Sequence, residues 1–175
     1  MEDTKQSLCF RRGTQADLDS VFRLFTDAIA EMNRNNIPQW DELYPDREIL
    51  REDIEKNQLF LGMADGEIAS VYVLNSECDE EYENGAWRYP NASFCVIHRL
   101  CVNPKFQNKG IGTVTMRHIE ARALTEGFES VRLDAFTLNP FALKMYDKIG
   151  YVIVGTADWR KGRFFLMEKK LQGFV

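Results

Sequence analysis

Leu100-Cys101-Val102-Asn103-Pro104-Lys105-Phe106-Gln107-Asn108-Lys109-Gly110-Ile111-Gly112 runs an apolar strand into a short turn whose glycines open a helix. A helix start leaves its first backbone N–H groups unpaired and carries a partial positive charge, and glycines there let the main chain approach an anion without side-chain interference. The pattern is neither a dinucleotide fingerprint nor a Gly-Lys-Ser/Thr phosphate loop, since only two glycines are present and no such triplet follows. It implies another phosphate-bearing ligand.

Around this turn the chain reads as one domain spanning residues 1–175, long enough to bury about two thirds of its unfolded surface. Charged residues make up 28% and hydrophobic residues 45% of the 175, and no apolar run reaches the roughly 20 residues needed to span a bilayer. Membrane insertion is therefore not expected. The start Met1-Glu2-Asp3-Thr4-Lys5-Gln6 lacks the basic and apolar regions of a secretory signal, which points to a reducing cytoplasm for the four cysteines. Cys9, Cys78, Cys95 and Cys101 show no CxxC spacing and only two histidines accompany them, so no metal site is expected. A net charge of −5 and a pI near 5.2 argue against broad nucleic-acid binding, which needs clustered Lys and Arg.

Element order follows from periodicity. Residues 8–13 read as a strand. Thr14 with Asp17 caps a helix whose Leu18, Val21, Phe22, Phe25, Ile29 and Met32 share one face. A polar, turn-rich segment around Trp40 and Tyr44 leads to Asp46, the cap of a second helix. Residues 58–64 and 67–75 form a hairpin across Asp65-Gly66. Residues 76–92 read as an elaborated acidic loop, 94–102 as a buried strand and 110–125 as the helix behind the glycine turn. A strand at 131–136, a short helix at 140–149 and strands at 151–157 and 163–170 complete the chain. The class is α/β (α+β), a mixed sheet of about seven strands with about four helices.

Gln107, Gly110 and Gly112 match the Gln/Arg-x-x-Gly-x-Gly/Ala pyrophosphate motif of the GCN5-related N-acetyltransferases, which this chain resembles. Asn139-Pro140 at a helix start, followed by Tyr146 and the Ile149-Gly150-Tyr151 ending, looks like the same family's second acetyl-CoA segment. The resemblance covers roughly residues 94 to 170 through motifs and the first half through element order. It implies a central sheet splayed open where acetyl-CoA enters, and transfer of acetyl to a primary amine of a small molecule or a peptide. It assigns Gln107, Asn108, Lys109, Gly110, Ile111, Gly112 and Thr113 to the pyrophosphate, and the main chain of Leu100, Cys101 and Val102 to the pantetheine arm and the acyl carbonyl. Asn139, a helix cap by its own chemistry, is implied as a further pantetheine contact. The sequence departs from the usual pattern at Asn108, where Gly or a basic residue is common, and at Thr115, where an aliphatic residue is.

Making an amide from a thioester requires a neutral amine and a proton for the departing thiolate. An alkyl amine titrates near ~10 and a thiol near ~8.5, so the site needs a base and an acid. The resemblance makes Tyr146 the acid; read alone, it is a packed aromatic on the core face of its helix. Strict alternation puts His98 on the same face as Phe94, Val96, Leu100 and Val102, where it is either a hydrogen-bonded core residue or the base, with a carboxylate or water as alternatives. Cys101 allows a rival route through an acyl-thiolate, for which alternation supplies Arg99 as a neighbouring cation; the simpler reading is a small buried hydrophobe. Trp40 and Tyr44 beside Asp41 and Glu42 form either a substrate ammonium cradle or an anchored loop. Glu77, Asp79, Glu80, Glu81 and Glu83 steer a cation or are merely solvated. A non-catalytic acyl-CoA sensor is the alternative function, and homodimerisation is left open.

Overall fold

The computed structural model describes residues 7–173. The amino-terminal hexapeptide read above for a secretory signal lies outside them. Among the described residues, seven strands form one sheet in the order β1-β2-β3-β4-β5-β7-β6. In chain order these are β1 (Cys9–Arg12), β2 (Leu59–Ala64), β3 (Glu67–Asn75), β4 (Phe94–Val102), β5 (Ser130–Phe136), β6 (Val152–Trp159) and β7 (Gly162–Lys170). Four α-helices accompany them: α1 (Leu18–Arg34), α2 (Arg47–Glu55), α3 (Ile111–Thr125) and α4 (Pro140–Lys148). Only β4 and β5 pair in parallel; the other neighbours are antiparallel.

Local chemistry sets the element boundaries. Thr14 and Asp17 pair as expected, with Thr14 N–H and hydroxyl both donating to the Asp17 carboxylate, but they open a short 3₁₀ turn (Gln15–Asp17) that runs into α1. Asp46 caps α2 by accepting from the Ile49 N–H at 2.9 Å. The apolar stripe of α1 buries Leu18, Val21, Leu24, Phe25 and Ala28 against one face of the sheet, together with Leu50 and Ile54 of α2. On the other face, α3 and α4 pack Met116, Ile119, Ala123 and Tyr146 against Tyr72, Cys95, Ile97 and Leu133. Each large apolar side chain so buried contributes about 1.5–3 kcal/mol.

Two departures from a regular sheet create the site. First, β4 and β5 pair only from Phe94↔Ser130 to Ile97↔Leu133, after which the strands diverge. Second, β4 carries a bulge against β3: Val73 faces His98 and Val71 faces Cys101, so two residues, Arg99 and Leu100, answer to Tyr72 alone. Arg99 takes the left-handed conformation that the bulge requires, at φ 50°. Strict alternation therefore fails, and the expectation built on it is corrected. His98 shares its face with Cys101, toward α1 and α2, whereas Leu100 and Val102 turn to the face of α3.

The acidic excursion of residues 76–92 is not merely solvated. It contains a 3₁₀ turn (Glu80–Asn84) and buries Tyr82, which packs with Trp87 on Val96, Ala157 and Leu166. The Arg132 guanidinium of β5 lies between the rings of Trp87 and Phe94, 4.1 and 3.8 Å from their centroids, and Glu168 of β7 accepts from the Arg88 N–H at 2.8 Å. Gly155 of β6 lets the excursion lie flat on the sheet, because a Cβ there would sit 2.8 Å from the Asn84 carbonyl oxygen and 3.0 Å from Gly85 Cα. Gly155→Val should therefore destabilise the fold by about 1–3 kcal/mol through overpacking. A urea midpoint equal to that of the parent protein would show that the excursion is not seated on β6.

Candidate active site

Where β4 and β5 part, two cavities open and meet. The first, of about 390 Å³, lies between α1, the glycine turn, α3 and α4. The second, of about 600 Å³, lies between α2, the start of the excursion and the β6–β7 turn. Gln39, Trp40, Leu100 and Tyr146 stand on the wall of both.

The smaller cavity is lined by the start of α3. Gly110 caps α3 in the left-handed conformation, φ 74°, with open space where a side chain would project. The first helical bond runs from Val114 N–H to the Gly110 carbonyl, so the amides of Ile111, Gly112 and Thr113 have no intrahelical partner, and all three residues line the cavity. Gly112 also lets α3 approach α4, since a Cβ would meet Met145 Sδ at 2.8 Å. Asn108 is left-handed as well, φ 61°, which explains how Asn stands where Gly is common. Thr115, the other departure, spends its hydroxyl on Ser70 at 2.9 Å and on the Ile111 carbonyl at 2.8 Å, inside the protein.

Of the residues expected to hold the cofactor, Leu100, Cys101, Val102, Gln107, Asn108, Gly110, Ile111, Gly112, Thr113 and Asn139 all line this cavity. Lys109 does not; its ammonium lies over the Phe106 ring, 5.4 Å from the centroid. Asn139 caps α4 by accepting from Ala142 N–H at 3.1 Å and donates to Gln39 Oε1 at 2.9 Å, tying the cavity floor to the segment before α2. Burial drives the Cys101 thiol well above its ordinary range, so it stays protonated.

In the larger cavity His98 lies with its Nε2 2.8 Å from Asn75 Oδ1 and 3.0 Å from the Glu77 carbonyl. Asn75 Nδ2 donates to Gln58 Oε1 at 3.1 Å, which fixes Oδ1 toward His98. Both partners accept, so His98 carries its proton on Nε2. Burial first, and Arg99 second, lower its proton affinity to about 4. His98 is neutral near pH 7 and a weak base there.

Asp134 is the residue that sequence reading missed. It stands between Leu133 and Ala135 in β5, two residues after Arg132, and a carboxylate in a central strand was the available signal. It lines the same cavity as Tyr146 and accepts from the Tyr82 hydroxyl at 2.8 Å. Burial raises it to about 6, against the opposing effect of Tyr82. Tyr146, also lifted by burial and then by the Asp134 charge, keeps its proton throughout the neutral range.

Trp40 and Tyr44 both line the larger cavity, but the aromatic cradle is taken. Trp40 packs on Phe25, and the Tyr44 ring carries the protein's own Arg99, whose Nη1 donates to the Tyr44 hydroxyl at 2.8 Å. Arg99 Nε and Nη2 donate to the Asp53 carboxylate at 2.8 and 2.6 Å. The cation that alternation offered to Cys101 is thus committed to α2.

Comparison with known proteins agrees with this fold. An S-(2-succino)cysteine N-acetyltransferase of Bacillus subtilis (strain 168) is 23% identical over 163 residues, covering 92% of this chain and 94% of the relative. An acetyltransferase of the GNAT family from Streptococcus agalactiae 2603 shares the fold with a TM-score of 0.83 at 21% identity, over 96% of this chain and 98% of that one. PaiA N-acetyltransferase from Thermoplasma acidophilum, crystallised with coenzyme A, does so with a TM-score of 0.71 at 19% identity, over 94% and 99% of the two chains. The model of the acetyltransferase (GNAT) family matches residues 24–151, and the chain belongs to that family.

Proposed function

We propose that this acetyltransferase moves the acetyl group of acetyl-CoA directly to the primary amine of a small molecule, with Tyr146 as general acid and Asp134 as general base. One observation carries the reading: Tyr146 stands on the shared wall of two cavities, one lined by the unpaired amides at the start of α3 and the other by Asp134. The family draws on acetyl-CoA, which supplies an activated thioester acyl group. The free amides of residues 111–113 and the open space at Gly110 suit its diphosphate, and Asn139 and the main chain of Leu100–Val102 line the path of the pantetheine arm. Along residues 98–102 the β5-facing edge of β4 has no strand partner among the described residues, leaving backbone groups to hold the acyl carbonyl.

Proton traffic follows from the side chains. Asp134, ionised above about pH 6, accepts the proton that the acceptor ammonium must lose. Tyr146 donates its proton to the departing thiolate and is restored by the second proton leaving the nitrogen. Asp134 takes the role for which His98 was expected, because His98 Nε2 is committed as a donor and the ring binds a proton only near pH 4. The protonated state of Cys101 favours direct transfer over an acyl-thiolate.

The acceptor cavity carries both signs of charge. Lys56, Arg99, Arg160 and Lys161 share its wall with five carboxylates, among them Asp53, Glu77 and Asp134. Arg99 is paired with Asp53, and Arg160 and Lys161 with Asp41, which leaves Lys56 as the cation on that wall without an ion pair among the described residues. With Lys56 for a carboxylate and Asp134 for an ammonium, such a wall suits an amine that also bears carboxylate, as the S-(2-succino)cysteine named for the Bacillus subtilis relative does. In a thiol-release assay with acetyl-CoA, amino-acid acceptors including S-(2-succino)cysteine should outpace spermidine and an amino-terminal peptide. Faster turnover of spermidine or the peptide would overturn this choice of acceptor.

Two sets of variants test the machinery. Gly110→Asp and Gly110→Asn impose the same left-handed side chain, but only the first sets a charge against the diphosphate. Calorimetry should show coenzyme A binding lost in Gly110→Asp and largely kept in Gly110→Asn, whereas equal affinities would remove the diphosphate from this turn. Tyr146→Phe should lower kcat by roughly 10²-fold or more with coenzyme A affinity preserved. The parent enzyme should lose kcat as pH falls through about 6, where Asp134 gains its proton, and Asp134→Asn should abolish that limb together with most of the rate. An acid limb at about 4 would return the role to His98.

A further inference from the structure

The excursion of residues 76–92 covers one wall of the acceptor cavity and reaches two groups inside it, through the Glu77 carbonyl on His98 and the Tyr82 hydroxyl on Asp134. We propose that Tyr82 is a positioning residue for the reaction, its hydroxyl fixing the Asp134 carboxylate at 2.8 Å and leaving one carboxylate oxygen toward the acceptor. This rests on Asp134 being the base.

Tyr82 is itself held from several sides, so its hydroxyl is aimed and not free to swing. Its ring is buried against Val96, Ala157 and Leu166 and stacks on Trp87 at 5.6 Å between centroids. Trp87 Nε1 donates to the Tyr82 carbonyl at 2.9 Å, and the same indole covers the Arg132 guanidinium. Ala86 N–H donates to the Val154 carbonyl at 2.8 Å and anchors the excursion on β6. A carboxylate in this setting needs a donor. The titratable and charged groups that face Asp134 are Tyr82 and Asp79 of the excursion, Arg99 of β4, Tyr146 of α4 and Tyr44 before α2, while its partner on β7 is the apolar Leu166. Tyr82 alone among them is hydrogen-bonded to it. Burial and Asp79 push the carboxyl toward its protonated, useless form, and Tyr82 is the largest opposing influence. The hydroxyl thus keeps the base ionised at working pH while orienting it.

The test reads Asp134 itself. In full-length protein labelled with carbon-13 aspartate, the Asp134 side-chain carboxyl resonance, identified by its loss in Asp134→Asn, should titrate with a midpoint at about 6. Tyr82→Phe keeps the packed ring and removes only the donor, so the midpoint should rise by about one pH unit, a tenfold gain in proton affinity, and the acid limb of kcat should rise with it. Incorporation of 3-fluorotyrosine at position 82 strengthens the donor and should move the midpoint down. A midpoint that stays fixed in both proteins overturns the proposal. So does a midpoint that falls toward the ordinary carboxylate range in Tyr82→Phe, since that is the result of an excursion that only packs and whose loosening lets water in. Full turnover by Asp134→Asn overturns the base assignment, and with it the catalytic meaning of this hydrogen bond, whereas an unmoved midpoint with an inactive Asp134→Asn overturns the role of Tyr82 alone.

Discussion

Strands β4 and β5 share hydrogen bonds for four residue pairs and then separate, and the rest of the site depends on that separation. A continuous sheet would fill the space where two cavities meet and would spend the β4 edge on strand pairing. The bulge at Arg99 and Leu100 reinforces the opening: it bends β4, turns Leu100 into the shared wall and sends the Arg99 guanidinium out to Asp53 on α2. That buried ion pair joins the strand to the helix that lines the larger cavity, and removing either partner would strand a charge at a cost of about 3–5 kcal/mol.

Around the opening, the chain distributes work by element. The start of α3 offers amides and a left-handed glycine, which need no side chain and tolerate none pointing at an anion. The start of α4 offers Asn139, which closes its own helix and ties to Gln39, and about two turns further on Tyr146 reaches the junction. The larger cavity, the proposed acceptor side, is built from less regular material, namely the segment before α2, the excursion after β3 and the β6–β7 turn. Fixed geometry for the shared donor substrate and variable loops for the acceptor is the division expected when one fold serves many amines.

The half of the candidate site made by local backbone chemistry was legible in the sequence as far as position goes. Gly110, Gly112, Asn139 and Tyr146 sit at helix starts and on a helix face, where short-range spacing determines position, and all of them line the cavities. The seven strands, the four helices and the hairpin at Asp65-Gly66 were legible for the same reason. What depended on contacts far along the chain was not. A bulge is one residue out of register and leaves the composition of β4 unchanged, so alternation misplaced His98 relative to Leu100. Tyr82 lay within an acidic run that resembled solvated loop, and only its meeting with Asp134, 52 residues later, gives it meaning. Trp40 and Tyr44 suggested an ammonium cradle, and the cation that takes it is Arg99, 55 residues from Tyr44.

The central claim is that the two cavities form one reaction path meeting at Tyr146. A crystal structure of the protein with coenzyme A tests it most directly. The account requires the diphosphate against the amides of residues 111–113, the pantetheine arm along β4 at the splay, and the thiol within hydrogen-bonding reach of the Tyr146 hydroxyl. A nucleotide bound elsewhere, or a thiol directed away from the larger cavity, would contradict it.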